Sequence, residues 1–134
     1  MFIPNPVIQQ IGSSRNYRLI MDYKARIYRN VYLLIAKKFV YDGASIPFWL
    51  WWLLGSPFDY SFAIIHDALY KSKLLPRHKA DWIFLKVCKV KGVSWWRRWL
   101  IYIGLRLFGW VTWICKSKYS VLKAQKYVAL EIII

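Results

Sequence analysis

Ser61-Phe62-Ala63-Ile64-Ile65-His66-Asp67-Ala68-Leu69-Tyr70-Lys71-Ser72 is followed by Leu74-Leu75-Pro76, then by Lys79-Ala80-Asp81 and Phe84. Apolar residues recur at helical spacing through the first run. Pro76 suits the first turn of a second helix, which the pattern carries to about Val90. The connection allows only a tight reversal, so the two helices form an antiparallel hairpin. His66 and Tyr70 stand four apart and share a face, while Asp67 points about 100° round the axis. Asp81 lies about one turn into the returning helix, within reach of His66 or Tyr70.

Upstream of the hairpin the character is β. Residues 17–22 form a short strand of mixed facing, residues 25–29 alternate, and residues 31–36 are an apolar run rich in β-formers. Asp22-Tyr23-Lys24 and Arg29-Asn30 read as turns, and residues 37–41 as a further strand running into Asp42-Gly43. After Pro47 a short aromatic helix over 48–54 is ended by Gly55-Ser56-Pro57. Downstream, Lys91-Gly92 closes the second hairpin helix, Ser94 is an N-cap, and a long aromatic helix starts at about Trp95. The expectation is one α+β domain over 1–134. A small antiparallel sheet occupies 1–45, and a helical hairpin with a long C-terminal aromatic helix occupies 46–134. The apolar tail, ending Leu130-Glu131-Ile132-Ile133-Ile134, is expected to dock on its own domain, on a neighbouring subunit or in lipid.

Composition narrows the partner. The chain has 134 residues with 21 Lys and Arg against 6 Asp and Glu, a formal charge of +15, and is 58% hydrophobic and 19% aromatic. A disordered basic tail would be poor in aromatics, so this is a folding sequence that attracts anions. The chain has nine Trp, of which Trp95, Trp96 and Trp99 flank Arg97 and Arg98. That mixture suits the headgroup level of a bilayer, a protein–protein interface or, less readily, stacked bases. The start, Met1-Phe2-Ile3-Pro4-Asn5-Pro6, lacks the basic region and apolar run of a signal peptide. Residues 99–115 sit at the short limit of a span and carry Arg106 near the middle, which costs about 2.5–3.5 kcal/mol at mid-bilayer. They read as a helix buried in protein or lying in an interface. Cys88 and Cys115 lack CxxC spacing and read as buried thiols.

A chain poor in carboxylates places Asp67 beside His66, with Asp81 and Asp42 as further partners. A carboxylate on an imidazole fixes its tautomer and raises its basicity, which is what a general-base histidine needs. Asp81 can approach either His66 or Tyr70. Gly43 permits positive φ, and Asp42, Gly43 and Asp67 together offer oxygen ligands for a hard cation such as calcium or magnesium. His78, between Arg77 and Lys79, reads as a surface residue. The same residues are equally those of a structural network that locks a loop and two helices.

Asp42-Gly43-Ala44-Ser45-Ile46-Pro47, Gly55-Ser56-Pro57, His66-Asp67-Ala68-Leu69-Tyr70 and Lys79-Ala80-Asp81 with Phe84 resemble a family of small phage and prophage proteins, the domain of unknown function 1353 family. The resemblance spans about residues 39–108 and implies a phage-encoded protein without an assigned activity. Locally, His66-Asp67-x-x-Tyr70 is similar to the HDxxY helix of phospholipase A2 enzymes. That similarity implies a water-activating His66, a calcium ligand in Asp67 and an orienting Asp81, with Tyr70 as a second support. The second glycine of the calcium loop and the flanking disulfides of those enzymes are missing here.

These readings give two expected functions, with a host-directed inhibitor as a third option. One is a virion or assembly component whose basic, Trp-rich surface binds other phage proteins or the anionic host envelope, in the virion, the host cytoplasm or at the inner-membrane surface, as an oligomer or part of an assembly. The other is a lipid-active hydrolase built on His66 and a cation.

Overall fold

The computed structural model describes residues 2–11, 16–42 and 60–133. The expected turn after Asp42 and the expected aromatic helix over 48–54 lie outside the described residues. The fold is α+β, with six strands and four helices among the described residues. Strands β1 (Ile8–Gln10), β2 (Asn16–Leu19) and β5 (Val40–Asp42) form one antiparallel sheet in the order β1-β2-β5. Strands β3 (Tyr23–Tyr28), β4 (Val31–Ile35) and β6 (Val128–Ile132) form a second, in the order β3-β4-β6. Helices α1 (Tyr60–Ser72), α2 (Arg77–Val90), α3 (Trp95–Ile114) and α4 (Lys118–Gln125) lie between β5 and β6 in the chain.

The single expected sheet is thus two sheets, and the second is completed by the tail. Val31 pairs with Ile132 and Ile35 with Val128, and the Ile133 N–H donates to the Asn30 carbonyl at 2.9 Å. The tail docks on its own domain because its apolar residues meet the central strand of that sheet. In β3 the alternation puts Tyr23, Ala25 and Ile27 inside. Leu33 and Ile35 of β4 join them in a core shared with Ile64, Ile65 and Leu69 of α1, Phe84 and Cys88 of α2, and Ile101 of α3.

Residues 37–41 are not a continuous strand. The Lys37 N–H donates to the Asp22 carboxylate at 2.8 Å, and Lys38 takes φ 77°, so the chain turns before β5 begins. The helix ends follow the sequence closely. Gly92 has φ 85°, its N–H donates to the Lys89 carbonyl at 3.2 Å, and the Val93 N–H donates to the Cys88 carbonyl at 3.0 Å. This is a Schellman closure, with Val93 tucked into the core. Ser94 stands at the N-cap of α3 but makes no side-chain cap bond, whereas Ser117 caps α4 by accepting from the Ser120 N–H at 3.1 Å. No described helix is long and apolar enough to cross a membrane.

Candidate functional site

The α1–α2 hairpin and the middle of α3 enclose Asp81, which is fully buried. Tyr70, from the last turns of α1, donates its hydroxyl to Oδ1 of Asp81 in a short hydrogen bond. Arg106 of α3 donates to Oδ2 at 2.9 Å, and Arg77, one turn before Asp81 on α2, approaches the same oxygen at 3.5 Å. Arg77 also donates to the backbone carbonyls of Leu105 and Arg106 at 2.8 and 3.3 Å, pinning α2 to α3. Gly109 makes the approach of α3 possible, since a Cβ there would lie 2.7 Å from the Tyr70 hydroxyl. One carboxylate therefore gathers a phenol and two guanidinium groups from three helices, the arrangement by which a buried charge is tolerated.

His66 lies beside this cluster. Its ring stacks on Tyr70 at 4.3 Å between centroids and meets the edge of Phe84 at 5.5 Å. Only 3% of the residue is exposed. Burial lowers its pKa below the ordinary imidazole value, against the opposing fields of Asp67 and Asp81 and with a smaller push from Lys116. Burial and the bond to Asp81 drive the Tyr70 hydroxyl far above the ordinary tyrosine range, so it stays a proton donor. Asp67 is buried and paired with Lys71 at 3.2 Å.

The hairpin brings His66, Tyr70 and Asp81 together, as the spacing indicates. It gives Asp81 to Tyr70, however, rather than to the imidazole. The orienting role that the phospholipase similarity implies for Asp81 is replaced by a pairing with two arginines, because a guanidinium offers a stronger charge-assisted donor than a neutral ring. Of the expected cation ligands, Gly43 and the side chain of Asp42 lie outside the described residues, and Asp67 already faces a lysine ammonium. Among the described residues no three His, Cys, Asp or Glu side chains cluster as a metal site. Arg77, Arg106 and Gly109 are the members that sequence reasoning missed. Arg77 carries an i,i+4 signal to Asp81, and Arg106 is a lone charge in an apolar stretch.

The second candidate is the outer face of α3. Ile101 and Leu105 face the core, with Gly104 and Gly109 also buried. About 180° away stand Trp96, Trp99, Leu100, Ile103, Leu107, Trp110, Val111 and Ile114, each at least 41% exposed. Trp82 of α2 extends this face, making edge contacts with Trp99 and Tyr102 at 6.5 and 6.0 Å. Cations sit on its rings: Lys86 over Trp82 at 4.8 Å and Arg97 over Trp96 at 5.2 Å. The helix expected to be buried or interfacial is thus apolar on both sides and bare on one.

The model of a family described as "Protein of unknown function (DUF1353)" matches residues 17–105, from β2 through the first half of α3. The chain belongs to this family. No curated protein and no solved structure matches it.

Proposed function

We propose, for a chain whose family carries no assigned activity, that it is a phage-encoded virion or assembly component that lies on the anionic surface of the host envelope. The phage origin rests on the resemblance of the Asp42–Pro47 and His66–Tyr70 motifs. The contact rests on one observation, the bare apolar stripe along α3, extended by Trp82 of α2, with Lys86 over Trp82 and Arg97 over Trp96. Trp96 and Trp99 stand near one end of the helix, Trp110 near the other, and Leu100, Ile103 and Leu107 between them. A helix of this length is about 30 Å long, and in the interface plane its aliphatic middle enters the acyl boundary while Trp and Arg stay at headgroup level. The charge of +15 supplies attraction to anionic lipid before the apolar face engages.

The buried Tyr70–Asp81–Arg77–Arg106 cluster acts here as the polar lock that holds α3 in place with its outer face turned away from the core. The hydrolase alternative draws on the same surface, but it needs water at a His66 ring nitrogen, and that ring is packed between Tyr70 and Phe84.

Flotation with phosphatidylcholine vesicles, with and without phosphatidylglycerol, tests the reading. The protein is expected to float only with anionic vesicles, with a blue shift of tryptophan emission, and Ile103→Ser with Leu107→Ser is expected to abolish both at unchanged folding. Failure to float, with a dimer in solution that the same pair of substitutions splits, would assign the stripe to a second copy and end the membrane reading. Fatty-acid release in the same samples, lost in His66→Ala, would instead revive the hydrolase.

A further inference from the structure

On another part of the molecule, a cleft of about 550 Å³ opens between β2, the β4–β5 turn, the end of α1 and α4. Its volume lies within the about 300–1,000 Å³ of small-molecule sites. Four cations line it, each from a different segment: Arg18 of β2, Lys38 of the turn, Lys71 of α1 and Lys123 of α4. No acidic side chain is among its described lining residues. Lys71 is paired with Asp67 at 3.2 Å, but among the described residues no carboxylate pairs with Arg18, Lys38 or Lys123. Like charges converging on a concavity repel one another, and an anion between them removes that repulsion.

Two further features single the cleft out from an ordinary basic surface. Lys38 sits in the left-handed region at φ 77°, where a residue with a Cβ is disfavoured. It is held there because its N–H donates to the Leu19 carbonyl at 2.7 Å while the Leu19 N–H donates to the Phe39 carbonyl at 2.9 Å. The floor is also apolar. Phe39 and Tyr127 meet at 6.3 Å, Ala124 is buried beside them, and the Lys71 ammonium lies 5.9 Å from the Phe39 ring. Ser120 adds a hydroxyl at the rim. Cationic residues and an aromatic pair lining one cleft suit a phosphate group carried on a small organic body, with Arg18, Lys38 and Lys123 available to the phosphate and Phe39 and Tyr127 to the body.

We infer that this cleft is a binding site for a phosphate monoester, either a soluble one or the headgroup of an anionic lipid. It shares none of its lining residues with the α3 stripe, so it stands whether or not that face binds a membrane.

Calorimetric titration of the full chain with inorganic phosphate and with glycerol phosphate, beside flotation with phosphatidic-acid vesicles, tests the site and separates the sources. Arg18→Gln with Lys123→Gln removes two cleft cations; Lys89→Gln with Lys118→Gln removes two exposed cations elsewhere and serves as the charge-matched control. Saturable binding of the soluble phosphates, weakened about tenfold or more by the cleft pair and not by the control, supports the site for a soluble ester. Selective loss of phosphatidic-acid binding in the cleft pair, without binding of the soluble phosphates, supports the lipid headgroup. Equal weakening by both pairs, or no binding of any probe, overturns the inference.

Discussion

A Cβ on Gly109 would stand 2.7 Å from the hydroxyl of Tyr70 and 3.2 Å from Nη1 of Arg77, so α3 lies against the buried carboxylate only where its backbone is bare. The Tyr70 ring cannot swing aside, being stacked on His66 and bonded to Asp81. Gly109→Ala is therefore expected to lower stability. Overpacking costs about 1–3 kcal/mol, against about 1 kcal/mol gained in helix propensity. A urea midpoint equal to or above that of the wild type would contradict the geometry.

Asp81→Asn is the harsher change. It leaves two guanidinium groups facing a neutral amide in a buried setting, and a loss of about 3–5 kcal/mol is expected. Tyr70→Phe removes one donor only and is expected to cost about 1–3 kcal/mol. If the cluster acts as a unit, the double variant loses less than the sum of the two, and thermal denaturation of all four proteins measures the coupling.

Much of this cluster was legible in the sequence, and the part that was not has a physical cause. The apolar spacing of residues 61–72, Pro76 and Gly92 are local signals, and α1, the reversal and α2 follow from them. The hairpin in turn puts Asp81 near His66 and Tyr70. Which of the two receives the carboxylate depends on Arg106, which arrives from α3 by tertiary packing, and on a glycine that lets it come close. β1 and β6 escaped for a related reason. Ile8-Gln9-Gln10 has no strand pattern of its own, and Val128–Ile132 becomes a strand only because β4 offers an open edge. The bare stripe of α3 was visible as tryptophan content, but a helix apolar on both sides does not declare which side is covered.

His66 gives stability a definite pH dependence. Its folded pKa lies below the unfolded value of 6.5 because burial disfavours the imidazolium. The unfolded chain therefore takes up a proton first as pH falls, and stability that is full above about pH 6.5 declines below it until the folded-state pKa is passed. His66→Phe is expected to flatten this part of the profile. A change in denaturation midpoint from pH 7.5 to 5.5 that is the same in the two proteins would refute the assignment.

The two thiols are expected to separate cleanly. Cys115, against the expectation of a buried thiol, is exposed at the end of α3, whereas Cys88 is buried and its thiol is pushed up to about 12 by desolvation, with Arg98 opposing. A thiol reagent at neutral pH is expected to modify one cysteine rapidly and the second only on unfolding. Rapid modification of both in the folded protein would contradict the packing of α2.

The pairing of β4 with β6 also sets an order of events on the ribosome. Val31–Ile35 is synthesised early, yet its second partner, Val128–Ile132, emerges only after all four helices. Until then the nascent chain carries a strand edge open to any neighbour. The last strand closes that edge, so the interval between the two segments is when the chain is most vulnerable to pairing with a copy of itself.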